Sequence, residues 1–193
     1  MVIKQLQGLL YAELKQEIKE LRDEIKQKDN KINNLEKRVT ELSQTTDNLE
    51  QYSRRNSLRI FGKEESDYED PSKLALDIIK KDLNLDIKGI DCAHRVGKKR
   101  QERKTPRPIL VKFTSYADGD AVFRQRSKLK GTQIFINEDL TQVRSALLYT
   151  ARTCKRNKKI KDCLTHDRLV IIKTNQNRII GVKTEKELID ATE

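Results

Sequence analysis

A chain of 193 residues with 37% charged and 35% hydrophobic side chains suits one or two small domains and excludes one large core. Its net charge of +11 is uneven, because residues 1–50 sum to −1 whereas residues 51–140 and 141–193 sum to +6 each. We therefore expect the last two thirds to bind a polyanion, and the 5% aromatic content without tryptophan argues against a large aromatic cleft.

The first predicted element is a long helix with a coiled-coil repeat. No glycine or proline occurs from Tyr11 to Ser53, and apolar residues recur in steps of four and three. This two-in-seven stripe is typical of a coiled coil and too narrow for a single helix packed on a globular domain, which is the alternative. Isoleucine at a and leucine at d favour two strands. We predict an oligomerisation domain over residues 1–53 with a seam of Leu14, Ile18, Leu21, Ile25, Ile32, Leu35, Val39, Leu42 and Leu49.

The second predicted domain, residues 54–140, has six elements in the order strand, helix, strand, strand, helix, strand. This order is that of the ferredoxin-like split βαβ fold, whose commonest nucleic-acid-binding version is the RNA-recognition motif (RRM). The strands and helices are read from "SLRIF", "PSKLALDIIKKDLNL", "IKGIDCAHRVG", "RPILVKFT", "SYADGDAVFRQRSKLKG" and "TQIFIN".

The third predicted domain, residues 141–193, is a small C-terminal α+β unit. Thr141 is a suitable N-cap for a helix with a basic end, "RLVIIKTNQNRIIGVKT" predicts two strands around a turn, and "EKELIDATE" predicts a short helix. The fold class is therefore α+β: an N-terminal coiled coil, an RRM-like βαββαβ domain and a small C-terminal domain.

A basic loop, "HRVGKKRQERKT", leads into the third strand of the second domain. It joins two strands that we expect at the centre of the sheet, beside the surface on which a single strand would lie. Alone it is equally compatible with a solvated loop, but a second basic block ends the helix after Thr141. The predicted nucleic-acid-binding residues are Arg54, Arg55, Arg59, Arg95, Lys98, Lys99, Arg100, Arg103, Lys104, Arg107, Lys112, Arg152, Lys155, Arg156, Lys158 and Lys159.

The sheet face predicts phosphate-led binding with low sequence specificity. An RRM normally stacks bases on aromatic residues of its two central strands. By alternation, Leu58 and Ile60 point one way while Arg59 and Phe61 point the other. Arg59 can stack on a base through its guanidinium plane, whereas Phe61 or Phe113 can equally be a core residue.

Metal binding and catalysis have little support in the sequence, and we expect no cofactor, no metal and no enzyme activity. Cys154, Cys163 and His166, with Cys92 or His94 as a fourth ligand, form the alternative of a zinc site, but the spacing is poor for one. A nuclease is a further alternative, although no glycine-rich phosphate loop or nucleophile elbow occurs.

Two stretches, "SRRNSLRIFG" and "HRVGKKRQERKTPRPILVKFT", together with the coiled coil before them, resemble the RNA-binding protein of the first open reading frame of LINE-type non-LTR retrotransposons (transposase 22-like). "RLVIIKTNQNRIIGVKTEKELID" is similar to the C-terminal domain of that family and of the baculovirus few-polyhedra (FP) protein. The resemblance implies a parallel homotrimer that coats element RNA and acts as a nucleic-acid chaperone. It also implies that Arg55 and Arg59 contact nucleic acid. Ser43 replaces the glutamate of a trimer signature, so a homodimer stays open.

The expected partners are single-stranded RNA or DNA and further copies of the chain, with no membrane and no small-molecule substrate. No apolar run is long enough to span a membrane. The expected location is a cytoplasmic ribonucleoprotein, with the nucleus as a second location. The alternative function is a coiled-coil scaffold, or a nuclear or chromatin-docking regulatory protein with a basic DNA-binding module.

Overall fold

The computed structural model describes residues 2–99 and 105–192. The chain divides into two compact units, Met1–Asn48 and Leu49–Glu193. It is a mixed α+β protein that begins with one long helix. Among the described residues, no helix is both long and apolar enough to cross a membrane.

The long helix, α1, runs over Val2–Ser53, and its first part makes up the first unit. Leucine and isoleucine residues of its predicted seam are exposed over 44–67% of their surface. A continuous apolar stripe of this kind on an isolated helix is consistent with a coiled coil.

The second unit contains two lobes, and the first lobe covers residues 49–140. It begins with the last turn of α1 and continues with one four-stranded sheet and two helices. The elements of this lobe are β1 (Ser57–Phe61), α2 (Pro71–Asp77), β2 (Ile90–Arg95), β3 (Ile109–Phe113), α3 (Tyr116–Gln125) and β4 (Phe135–Glu138). A π-helical turn, Ile78–Asp82, extends α2, and a 3-10 turn, Arg126–Leu129, follows α3.

The strand order in this sheet is β2-β3-β1-β4, and each neighbouring pair is antiparallel. The central strands are therefore β3 and β1. The expectation that the basic loop joins two central strands is wrong for β2, because β1 pairs with both β3 and β4 and leaves β2 at the edge. The loop thus connects the edge strand β2 to the central strand β3.

The core of the first lobe lies on the face of the sheet that α2 and α3 cover. Leu58 and Ile60 of β1 are each 1% exposed there, and so is Phe113 of β3. Phe113 is therefore a core residue. Arg59 and Phe61, with the opposite alternation, lie on the other face, which we call the open face.

The second lobe, residues 141–192, has its own hydrophobic core and a three-stranded antiparallel sheet. Its elements are α4 (Gln142–Arg156), β5 (Ile160–His166), β6 (Leu169–Thr174), β7 (Ile179–Val182) and α5 (Glu185–Asp190). The strand order is β5-β6-β7. The sequence analysis predicted two of these strands and missed β5, because "IKDCLTH" is largely polar and carries no regular alternation.

Candidate nucleic-acid interface

Asp139, directly after β4, holds two of the predicted binding residues. Its side chain is 3% exposed and accepts hydrogen bonds from Arg59 Nε at 2.6 Å and from Arg54 Nη1 at 3.1 Å. Arg54 also donates to Glu50 at 2.7 Å. A buried carboxylate needs its cationic partners, so Asp139 fixes where both guanidinium groups lie.

These two arginines line a cleft of about 630 Å³ between the end of α1, the open face near β1, and α4. The cleft combines two guanidinium groups, which are paired with Glu50 and Asp139, with an exposed aromatic ring, since Tyr149 is 68% exposed. The first turns of α4 also face it, and amide groups at a helix N-terminus favour anions. The lining residues are Glu50, Arg54, Arg59, Leu140, Thr141, Gln142, Ser145, Ala146, Tyr149 and Thr150.

Gln51 is a buried residue beside the cleft that could not be singled out from the sequence. It is 3% exposed; its amide nitrogen donates to the Asp139 carbonyl at 2.8 Å, and its amide oxygen accepts from the Thr141 backbone N–H at 2.9 Å. A glutamine in a charged, heptad-patterned helix looks like any other surface residue. Only the fold brings it against residues about 90 positions away.

Arg168 joins the two lobes and was also missed. Its backbone N–H donates to Glu138 Oε1 at 2.9 Å, its guanidinium donates to the Arg55 carbonyl, and the same group lies 5.3 Å from the centre of the Tyr116 ring. Arg168 has a φ of 61°, in the left-handed region. In the sequence it is the first residue of the predicted strand "RLVIIKT", whereas in the structure it is a turn residue that is only 8% exposed.

Arg55 lies beside the cleft residues but makes a different contact. Its guanidinium carbon is 3.9 Å from the centre of the Tyr52 ring, within cation–π range, and the residue is half-buried. This contact leaves the donor groups of Arg55 available to a further acceptor, because a ring face takes no classical hydrogen bond.

Arg95 and Arg107 are engaged inside the first lobe. The Arg95 side chain is 4% exposed and donates to Glu69, at 2.6 Å from Nε, and to three backbone carbonyls. Arg107 pairs with Glu65 and donates to the Gly97 carbonyl at 2.7 Å. Hydrogen bonds from these arginines hold the pKa of Glu69 and of Glu65 below their ordinary values. Both arginines thus anchor the base of the basic loop.

The described part of the basic loop carries exposed lysines. Lys98 and Lys99 are exposed, and Lys99 pairs with Asp67 of the acidic segment before α2. The remaining predicted loop residues, Arg100, Arg103 and Lys104, lie outside the described residues.

Lys112 lies on β3, and its side chain is half exposed. Its ammonium group lies 2.9 Å from Asp91, and this hydrogen bond raises the pKa of Lys112. Register places Lys112 opposite Ser57 on one side and Cys92 on the other. Lys112 thus adds one cation to the open face.

The second basic block ends α4 and is solvent-exposed. Lys155 pairs with Asp162 at 2.6 Å, and this contact holds the pKa of Asp162 below its ordinary value. The Asn175 amide donates to two backbone carbonyls of the turn after the helix, at 3.1 and 3.2 Å. The exposed cations carried by this helix end and turn are Arg152, Lys155, Arg156, Lys158 and Lys159.

The zinc alternative receives no geometric support. Within residues 2–99 and 105–192, no three His, Cys, Asp or Glu side chains are placed to hold a metal ion. All three cysteines are free thiols, and burial raises the pKa of Cys163.

Comparison with protein-family models and with curated proteins finds no match to this chain.

Proposed function

We propose that the protein is a single-stranded RNA-binding protein and nucleic-acid chaperone of a LINE-type retrotransposon ribonucleoprotein, with low sequence specificity. The observation that carries the proposal is the arginine pair that buried Asp139 holds in a cleft that Tyr149 also lines. Fixed guanidinium groups are suited to phosphate, and an exposed aromatic ring is suited to an unpaired base.

An RRM-like first lobe supports this function. The element order is split βαβ, the helices cover one face of the sheet, and β1 and β3 are central. The uncovered face is the one on which RRM proteins hold single strands. Cations around that face come from Arg59 and Lys112.

The positive charge supports phosphate-led binding. The basic helix end of the second lobe and Lys98 in the loop are exposed, so their desolvation cost on binding is small. Each phosphate that they neutralise releases a counterion whatever the base sequence. Low sequence specificity follows from this mode of binding.

The unpartnered seam of α1 supports self-association. We propose a parallel homotrimer, with the dimer as the alternative, that acts in a cytoplasmic ribonucleoprotein and in the nucleus. Several linked binding modules on one RNA raise the effective concentration of each. A coiled-coil scaffold without nucleic-acid affinity is the competing interpretation of the same stripe.

A salt titration of RNA binding separates these two functions. We expect the affinity for a single-stranded oligonucleotide, measured by fluorescence anisotropy, to fall linearly with salt concentration on a log–log plot. The slope should correspond to several neutralised phosphates. A scaffold should bind no better than an unrelated basic protein of equal net charge. A flat salt dependence would also contradict the proposal.

A charge-matched pair of variants tests the site itself. Combining Arg54→Gln, Arg59→Gln and Asp139→Asn removes one net positive charge and leaves no buried carboxylate unpaired. Lys80→Gln removes the same net charge from an exposed position on the helix-covered side. We expect about tenfold weaker binding for the triple variant and less than about twofold for Lys80→Gln. Equal losses would mean that net charge, not this cleft, determines affinity.

A further inference from the structure

Two phenylalanines lie opposite each other on the open face, at the end of the sheet remote from the cleft. Phe61 ends β1, Phe135 begins β4, and the register pairs them directly. Of the four phenylalanines, all within the described part of the chain, only Phe135 is largely exposed, at 56%. Its neighbour Ile136 points into the core and is 2% exposed.

The fold holds this aromatic pair in place. Gly62, directly after Phe61, has a φ of +83°, and a Cβ there would lie 1.8 Å from the Gln133 carbonyl oxygen. The chain leaving β1 therefore packs tightly against the chain entering β4. Directly opposed residues in antiparallel strands have Cβ atoms about 5 Å apart, so these two side chains are neighbours on the open face; we call the pair the platform.

Groups that suit a nucleotide continue from the platform toward the cleft. Two positions along the strands, roughly 7 Å away, Arg59 and Asn137 form the next cross-strand pair on the open face. Asn137 is exposed and its amide can both donate and accept. Arg59 also lines the cleft. The rings, the amide and the guanidinium thus follow one line across β1 and β4.

We propose that Phe61 and Phe135 form a stacking site for an unpaired nucleobase of the bound strand. This proposal rests on the proposed function and restricts the ligand to a nucleic acid with unpaired bases, because a base inside a duplex cannot reach these rings. It differs from the usual RRM arrangement, since the aromatic pair spans β1 and the edge strand β4, not the two central strands. The partly exposed guanidinium of Arg59 and ammonium of Lys112 on the same face favour a nucleic acid over an apolar peptide as the occupant, because both can donate to phosphate.

The test compares three probes of equal length on the intact chain: oligouridine, the same backbone without bases, and an RNA duplex. Phe135→Leu keeps an apolar side chain but removes the ring, and Phe135→Tyr is the matched control that keeps it. We expect Phe135→Leu to weaken oligouridine binding about fivefold or more, since stacking contributes strongly per base. Binding of the abasic backbone should be unchanged, and Phe135→Tyr should stay within about twofold of the wild type.

Other results have distinct meanings. An unchanged affinity of Phe135→Leu for oligouridine, with the wild-type salt slope intact, would overturn the stacking site and leave the proposed function standing. An equal loss for the abasic backbone would also overturn stacking. A changed sedimentation coefficient of Phe135→Leu without RNA would show a contact between protein copies instead. A wild-type chain that binds none of the probes would overturn the proposed function itself.

Discussion

Asp139 is the residue on which the candidate site depends most, because its carboxylate is far more buried than its partners. Arg54 and Arg59 keep 32% and 30% of their side-chain surface exposed, whereas Asp139 keeps 3%. Solvent can therefore compensate an arginine that loses its partner, but it cannot reach the aspartate. An unpaired Asp139 should therefore cost more stability than an unpaired arginine.

This asymmetry predicts a rescue. The double variant Arg54→Gln with Arg59→Gln leaves a buried charge unpaired, and we expect it to lower the free energy of unfolding by about 3 kcal/mol. Adding Asp139→Asn should recover most of that loss, because an amide needs no counter-charge. Urea unfolding of the double and triple variants measures the difference. A triple variant less stable than the double would show that the carboxylate has another partner.

Glu69 makes stability depend on pH. Its hydrogen bond with Arg95 holds the pKa of Glu69 below the ordinary value of an unfolded chain, about 4.3. A lowered pKa in the folded state gives stability that is present above the unfolded pKa and is lost as the pH falls through the folded one. This contribution should therefore be constant near neutrality and disappear in acid.

Glu69→Gln tests this linkage. We expect the variant to lose about 2 kcal/mol of unfolding free energy at pH 7, since Arg95 loses a charged acceptor. Below about pH 4 the gap to the wild type should narrow, as protonation removes the same interaction from the wild type. Urea unfolding between pH 3 and 7 measures both curves. Parallel curves would mean that the Glu69 carboxylate does not drive acid unfolding.

At the scale of elements, substitutions at two glycines distinguish the cost of backbone strain from the cost of a steric clash. Gly62 and Gly131 have φ angles of +83° and +93°, so an alanine is strained at either position. Only Gly62 faces a close backbone atom, since nothing lies within 4 Å of a Cβ at Gly131. We expect Gly131→Ala to cost about 1 kcal/mol and Gly62→Ala more than about 2 kcal/mol, both measured by thermal or urea unfolding. Similar costs would refute the tight contact between the ends of β1 and β4.

Regular elements were predictable where hydrophobic periodicity was strong. The seam of α1 and the apolar runs of β1 and β3 are recognisable in the sequence, because their apolar residues recur with the period of the helix or strand that they form. The short strand β5 does not, since "IKDCLTH" alternates poorly and gains its place from pairing with β6. The strand order could not be predicted either, because the local pattern of a strand does not indicate whether it is central, like β1, or at the edge, like β2.

The site was predictable in composition but not in geometry. Arginine and lysine clusters are visible in the sequence, yet Arg95 and Arg107 satisfy acids and carbonyls inside the lobe. Conversely, Gln51 and Asp139 matter through partners far away in sequence. A charge in a sequence gives no sign of whether it will meet a phosphate or an internal carboxylate, because that depends on long-range packing.

At the scale of the whole molecule, the net positive charge and the seam proposed for self-association belong to different parts of the chain. The first 50 residues are nearly neutral, and the net positive charge lies beyond them. The first unit can therefore associate without repulsion between its own charges, while the second carries the positive field. Linking several such fields on one oligomer strengthens binding to a long, flexible polyanion more than to a short one.

This division predicts that removing residues 1–48 produces a monomer with its binding site intact. The shortened chain keeps Leu49 to Ser53, and with them the Gln51 contacts to the Asp139 carbonyl and the Thr141 amide. We expect sedimentation to report a monomer. We also expect at least about tenfold weaker binding of a long single strand, with little change for an oligonucleotide that fills one site.

A second truncation, after Ser53, is the matched control, since it removes only five residues more. It takes away Glu50 and Gln51, and with Gln51 the hydrogen bonds to the Thr141 amide and the Asp139 carbonyl. We expect it to cost about 2 kcal/mol more of unfolding free energy and to weaken even short-strand binding, because the cleft loses two of its supporting hydrogen bonds. If both truncations bind a short strand equally well, the last turn of α1 has no part in the site. If the first truncation remains oligomeric, the apolar stripe is not what brings the copies together.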